Sequence, residues 1–365
     1  MAIILGFDIG GVNTKVAFVK IQNGLVKTLK TKAEYFPIWK RGKEQLPHLL
    51  KTLKEQLTGS ATLNAVGATM TAELSDVFST KKEGVNHILD CISEVFSNVP
   101  IWILNTDAKL LSIEEARQNP LRVAAANWVA TGWMVSQIIK DCIIVDVGST
   151  TTSIIPIIHG KIAAEGKTDL EKLMDGELVY TGSLRTNVAT ILSSIPIREG
   201  KALVSSEFFA QSGDVHLILG NINEEDYIVE TPDGQRKTRK GAMARLARVV
   251  CADIDMLSEQ EIIDIAQSVW EKQIEQICEG LKLVYDRLVF SLKRKTPIVV
   301  TGIGRDFLAK KAVQKAGFDH VIDIGELLGC NVAVMSPSFG VALMVASRLE
   351  GKTVQWKPWS KLAEA

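Results

Sequence analysis

Apolar positions along the chain fall into short alternating or continuous runs separated by glycine turns, and the rhythm repeats. "AIILGFDIGG" followed by "NTKVAFVKIQNGLVKTLKTKAEY" predicts a strand, a glycine turn, a second strand and, after the Asn23-Gly24 turn signal, a third. Lys43 to Leu57 takes helical spacing, "NAVGATMTAEL" predicts a short buried strand ending in polar residues, and "GVNHILDCISEVFSN" returns to helix. "PIWILNTD" predicts another strand, and Pro120 to Lys140 an apolar helix rich in Ala and Trp. At Asp141 the order restarts, because "DCIIVDVGSTTTSIIPIIHGKIAAEG" again reads strand, turn, strand, glycine turn, strand. Asn221 to Lys240, with its "TPDGQ" turn, reads as a charged excursion within the second half. Helices are expected from Ser258 to Lys293. "TPIVVTGIGRDFLAKKAVQKAG" then predicts strand, glycine turn and helix, and "SPSFGVALMVASRLEG" a closing apolar helix.

This pattern predicts an α/β protein with two domains of like architecture. The expected domains are 1–140, with a C-terminal helix in 337–365 packing back on it, and 141–336, carrying the inserted charged segment near 221–240. A length of 365 residues suits two cores. The balance of 42 basic against 42 acidic residues gives no reason to expect a nucleic acid or an acidic membrane as partner. Five widely spaced cysteines without a C-x-x-C pair support neither a disulfide framework nor a zinc knuckle. The five histidines fall singly, so none is assigned to zinc. No basic leader precedes Ile3 and no apolar run approaches a membrane span, which predicts a cytoplasmic protein. The residue pattern is silent on oligomeric state; Trp356 and Trp359 are expected at an interface or in a return packing.

Chemistry enters with the repeated turns. Glycines at a strand-to-strand turn let backbone amides approach an anion, and Ser and Thr hydroxyls add donors. An Asp ending the preceding buried strand is costly unless it meets a metal ion, a cation or a water network. Asp8 with Gly10, Gly11, Asn13 and Thr14 forms one such set, and Asp146 with Gly148, Ser149, Thr150 and Thr151 the other. One Asp-x-Gly turn alone is an ordinary hairpin feature; its recurrence in a repeated context points to paired phosphate loops that would hold a diphosphate with Mg2+. "VVTGIGRDFL" adds Gly302 and Gly304 between strand and helix, where backbone can approach a flat or anionic ligand or, equally, a packed neighbour.

These three motifs, in this order, resemble the actin-like ATPase superfamily of sugar kinases, acetate kinase and the hydantoinase/oxoprolinase group. The resemblance implies two RNase H-like domains around a central cleft, with Asp8 and Asp146 on a divalent cation. "GATMTAELSDVF", "AAANW", "STTTSIIPI", "TDLEKLMDGELVYTGSLRTNV" and "ARLARVVCAD" look like the narrower archaeal and methylotroph family of methanofuran-biosynthesis enzymes. That implies a transferase condensing (5-(aminomethyl)furan-3-yl)methyl diphosphate with γ-glutamyltyramine or a related phenol. The products are an aryl furfuryl ether and diphosphate. The second loop departs from the family at Ser153, where an acidic residue is frequent, so no ligand role is carried to it.

Within this reading the loops, Mg2+ and Lys15 stabilise departing diphosphate, and Glu73 or Asp76 takes the phenol proton or binds the furfuryl amine. The plain alternative for "TAELSD" is a helix start with Thr71 as cap and Leu74 in the core. Arg236, Lys237, Arg239 and Lys240 read as a solvated run, whereas Arg245 and Arg248 share a helix face. That pair is expected to bind substrate anions or to form a buried ion pair with Asp253 or Asp255. Tyr180 and Arg185, near Glu177, are further candidates for substrate binding. Two other functions compete: an ATP-dependent small-molecule kinase or hydrolase of the same fold, and a nucleotide-binding regulator.

Overall fold

Apolar side chains on both faces of a strand require cover on both, and the first strand has that composition. The structure is a computed structural model, in which residues 1–292 and 296–356 are described. In chain order the first half contains β1 (Ala2–Ile9), β2 (Asn13–Gln22), β3 (Leu25–Tyr35), α1 (Ile38–Arg41), α2 (Leu46–Thr58) and β4 (Ala65–Met70). After a 3-10 turn at Ala72–Leu74 come α3 (Lys81–Val95), β5 (Ile101–Leu104), β6 (Leu110–Leu111), α4 (Ile113–Gln118), α5 (Pro120–Val123) and α6 (Asn127–Ser136). The strands form one sheet in the order β3-β2-β1-β4-β5-β6, with β2 antiparallel and β4 parallel to β1. Asn23 and Gly24, at φ 55° and 74°, supply the left-handed pair that a tight hairpin between β2 and β3 requires.

The second half contains β7 (Cys142–Val147), β8 (Thr152–Ile158), β9 (Lys161–Ile162), α7 (Asp169–Met174), β10 (Leu178–Val179), α8 (Val188–Ile191), β11 (Ser194–Ile197) and β12 (Gly200–Leu203). It continues with α9 (Ser212–Ile218), α10 (Arg239–Arg248), α11 (Glu259–Leu288), β13 (Ile298–Gly302), α12 (Lys310–Lys315) and β14 (Val321–Asp323). The chain ends its described part with α13 (Ile324–Leu328), α14 (Cys330–Val334) and α15 (Ser336–Glu350). A second sheet runs β10-β8-β7-β13-β14, with β9 on β8. The order of the first sheet returns here, a hairpin beside parallel strands, which is the actin-like α/β arrangement. Two compact units result: Met1–Cys142 with Ile155–Lys172 and the stretch from Ile324, and Ile143–Ile154 with Leu173–Asp323.

In the first unit the sheet is covered on both faces. Leu5, Phe7 and Ile9 meet Leu50, Leu53, Ile88 and Ile92 of α2 and α3. The opposite face is covered by α15 at backbone distance: a Cβ on Gly6 would lie 2.2 Å from the Ser338 carbonyl oxygen, and α15 meets α6 as closely, since a Cβ on Gly340 would lie 2.3 Å from the Ala130 carbonyl oxygen. Trp356 closes edge-on over Phe339 at 4.9 Å, whereas Trp359 lies outside the described residues.

Several local expectations are corrected. The apolar helix expected over Pro120–Lys140 breaks into α5 and α6, because Ala125 takes a left-handed φ of 48° between them. Within "GELVYTGSLRT" the strand is confined to Leu178–Val179. Beyond it, Gly182 sits where a Cβ would fall 2.5 Å from the Thr150 backbone, an approach that a regular strand would not permit. No helix among the described residues is long and apolar enough to cross a membrane.

The contact at Gly6 gives a direct test. Gly6→Ala is expected to cost roughly 1–3 kcal/mol through overpacking. Gly200→Ala, where nothing lies within 4 Å, should be near neutral. The check is the urea midpoint at unchanged m-value.

Candidate active site

The two Asp-Gly phrases fold into the same turn. Asp8 ends β1, and Gly10 N donates to the Asn13 carbonyl at 3.1 Å; Asp146 lies near the end of β7, and Gly148 N donates to the Thr151 carbonyl at 2.9 Å. The offsets from carboxylate to turn are therefore identical in the two loops. In the first, Asp8 is 5% exposed and lies opposite Lys15 in the antiparallel register, which puts both side chains on one face. Lys15 Nζ donates to the Val334 carbonyl at 2.9 Å, and Thr14 is fully buried.

Immediately beside the first loop stands the turn that follows β4. Thr71 N donates to the Ile9 carbonyl at 2.9 Å, and a Cβ on Gly11 would come within 2.6 Å of Ser75 Oγ. The helix-start reading of "TAELSD" is overturned here: Ala72–Leu74 is a 3-10 turn without a Thr71 side-chain cap, and Leu74 is 56% exposed. Glu73 points inward in its place. Gly84 of α3 packs on the Glu73 backbone, where any side chain would meet the carbonyl oxygen at 2.5 Å. Asp76 is exposed.

Glu73 is the outstanding polar group of this unit. Its carboxylate is buried, and neither oxygen has a well-formed hydrogen bond among the described residues, although the backbone N–H groups of Glu73 and Ala125 approach closely enough to favour the ionised form. Burial pushes its pKa up to about 7; the backbone of Glu73 itself, Lys81 and the Ala125 backbone pull it down, and Asp169 pushes it up. Lys81 Nζ is 4.0 Å from Glu73 Oε1 and 2.7 Å from Asp169 Oδ2. Close by in the chain, the buried Lys172 lies 3.6 Å from the centre of the Trp128 ring.

The second loop is held from behind by residues 181–186. Ser183 N and Oγ both donate to the Gly148 carbonyl at 2.9 Å, Leu184 N and Arg185 N to that of Ser149, and Arg185 Nη1 to Thr150 Oγ1 at 3.1 Å. Gln273 of α11 donates to Thr181 Oγ1 at 2.8 Å and to the Gly182 carbonyl at 3.0 Å, pinning that segment in turn. Behind Gln273 lies His216, which accepts from Asn221 Nδ2 at 3.2 Å on Nδ1 and turns Nε2 toward Gln273. Burial depresses its pKa to about 3, so this imidazole is neutral. Gly302, at φ 89°, fits against the same loop: a Cβ there would lie 2.7 Å from Asp146 Oδ1, and one on Gly304 would lie 2.5 Å from Val147. Both glycines are thus required for packing on the Asp146 loop.

The remaining expected residues are dispersed. Arg245 is fully buried and pairs with Asp214 at 2.8 Å and with Asp233 at 3.2 Å. The buried-pair alternative therefore holds with different partners from Asp253 and Asp255, because α9 and the charged excursion carry the acids to α10. Arg248 reaches Asp233 at 3.2 Å near the surface. Tyr180 is 61% exposed, and Glu177 pairs with Arg287.

The hydantoinase/oxoprolinase pattern matches residues 64–344 of this chain. A (4-{4-[2-(γ-L-glutamylamino)ethyl]phenoxymethyl}furan-2-yl)methanamine synthase of Methanocaldococcus jannaschii is 40% identical over 348 residues, 95% of this chain and 98% of its own length. The chain belongs to this synthase family of the hydantoinase/oxoprolinase proteins. A synthase of the same name from Methanococcus vannielii is 41% identical over 58% of this chain and 94% of its own length. The nucleotide-free structure of acetone carboxylase superposes with a TM-score of 0.57 at 11% identity, covering 94% of this chain and 70% of that one, and it shows the fold.

Sequence reasoning missed the surroundings of Glu73 and the support of the second loop in this family member. Lys81 and Asp169 are 88 residues apart, so their meeting left no local signal. Gln273 did leave one: it interrupts the buried stripe of Ile262, Ile265, Val269 and Ile277 on α11 at helical spacing.

Glu73 has a folded-state pKa above its ordinary value of 4.5. Its stabilising contribution is therefore complete below pH 4.5 and is lost as pH rises through about 7. Glu73→Gln is expected to stabilise the ligand-free protein at pH 8 by at most roughly 3 kcal/mol and to change little at pH 4.5. Denaturant melts of both proteins at the two pH values check the sign.

Proposed function

We propose that this chain is a transferase of methanofuran biosynthesis that condenses (5-(aminomethyl)furan-3-yl)methyl diphosphate with γ-glutamyltyramine or a related phenol. An aryl furfuryl ether forms and diphosphate leaves. The observation that carries the reading is the pairing, within one unit, of a phosphate-type loop at Asp8 with the buried Glu73 carboxylate, which has no well-formed hydrogen bond among the described residues, beside it. Similarity to synthases of this name supports it.

The chemistry has two demands. As the methylene–oxygen bond to diphosphate breaks, the bonding pair leaves with the diphosphate, and the furan delocalises the positive charge left on carbon. The backbone amides and hydroxyls of the Asp8 loop, with Lys15, receive the departing anion. The phenol oxygen then bonds to the methylene carbon, and its proton passes to the Glu73 carboxylate. A carboxyl whose pKa is about 7 is suited to accept it near neutral pH.

The donor set suits Mg2+. Mg2+ commonly binds through one or two carboxylates together with substrate phosphate and water, and the Asp8 loop offers a carboxylate beside backbone amides and a hydroxyl. Asp8 and Asp146 are each a candidate ligand, and bound Mg2+ would supply Lewis-acid stabilisation of the leaving oxygens.

The deciding experiment incubates purified protein, Mg2+, the aminomethylfuran diphosphate and γ-glutamyltyramine, following ether by mass spectrometry and diphosphate release, beside an ATP control. Ether and diphosphate are expected together without ATP; ADP release without ether would replace this reading by a kinase. Asp8→Ala should abolish product while the protein stays folded. Glu73→Gln should lower kcat by about 10²–10⁴-fold.

A further inference from the structure

Three charged groups converge where the turn after β4 meets α3 and α7. Glu73 comes from the turn, Lys81 from the first turn of α3, and Asp169 from the start of α7. The ammonium has two carboxylates within 4.0 Å and sits on one of them: Lys81 Nζ is 2.7 Å from Asp169 Oδ2 and 4.0 Å from Glu73 Oε1. Side-chain exposure is graded, at 26% for Asp169, 24% for Lys81 and 0% for Glu73.

The geometry explains why the shorter contact goes outward. Gly84 fixes the Glu73 backbone against α3, and the Ala125 backbone, in its left-handed conformation, closes the other side. The first phosphate loop approaches this turn with neutral groups, since Gly11 meets Ser75 Oγ. Lys81 and Asp169 are therefore the charged side chains that act on Glu73 among the described residues. Without Asp169 the ammonium would have one carboxylate left to satisfy it, and that carboxylate is Glu73.

We propose that Asp169 is a positioning residue for Glu73: by holding the Lys81 ammonium on its own carboxylate, it prevents Lys81 from closing on Glu73 as an ion pair. The consequence rests on the reading of Glu73 as the group that takes the phenol proton. A Glu73 locked to Lys81 would be a permanently ionised and weak base; held apart, it exchanges its proton near neutral pH. Asp169 acts on Glu73 through Lys81 and also by its own negative charge, and both effects favour the protonated form.

The test reads the titration of Glu73 itself and the activity separately. Carboxyl titration in the free, full-length protein is followed by difference infrared spectroscopy, with Glu73→Gln identifying the band. Asp169→Asn should move the midpoint down by about one pH unit or more, and Lys81→Met should move it up. The acid limb of kcat/KM should move with it in each variant. An unmoved midpoint in both variants, or a shift in the same direction in both, overturns the proposal, because general loosening of the site would hydrate Glu73 and lower the midpoint in both. Opposed shifts of the midpoint with an unmoved acid limb would uphold the role of Asp169 and overturn only the assignment of Glu73 as the base.

Discussion

The first unit depends on a helix that meets a sheet without side chains in between. Gly6 of β1 lets the α15 backbone approach the sheet backbone, Gly340 lets α15 approach α6 in the same way, and Gly67 of β4 receives Val341 and Val345. With α15 seated this way, the ends of β1 and β4 are set side by side, which carries Asp8 and the Glu73 turn to one place. Lys15, on the face that Asp8 shares, is tied by its ammonium to Val334 just before α15 begins. A methyl group at Gly6 would press on the support of the whole site.

Two buried acids show how burial separates structure from chemistry. Burial raises the pKa of Asp214 and Glu73 alike. Asp214 is answered by the buried Arg245 and by Tyr227, whose hydroxyl donates to it at 3.0 Å, and the network joins α9, α10 and the excursion between them. Glu73 has no such answer among the described residues; the nearest ammonium is held by Asp169. A buried carboxylate left this way costs stability in the ligand-free protein.

Both glycine turns were legible in the chain. A glycine turn between apolar strands has few conformations, so "FDIGG" and "VDVGS" announced hairpins, and both closed the same turn hydrogen bond. The Asn23-Gly24 turn was equally local. The plain alternative was also local: "TAELSD" resembles a helix start, yet with Gly84 packed on Glu73 it is a 3-10 turn in which Glu73 is buried and Leu74 exposed. Arg245 and Arg248 fell on one helix, but their partners come from Asp214 and Asp233, which no spacing within α10 could indicate.

By itself, then, the sequence determined the strand-turn-strand phrases, their repetition, and the residue types placed at their tips, because these follow from backbone sterics and side-chain alternation over a few residues. Tertiary structure alone decided which charges act on one another. Lys81 meets Asp169 across 88 residues, and Gln273 reaches Thr181 across 92. Electrostatic coupling depends on distance and burial in space, and neither is written in the spacing of residues along a chain.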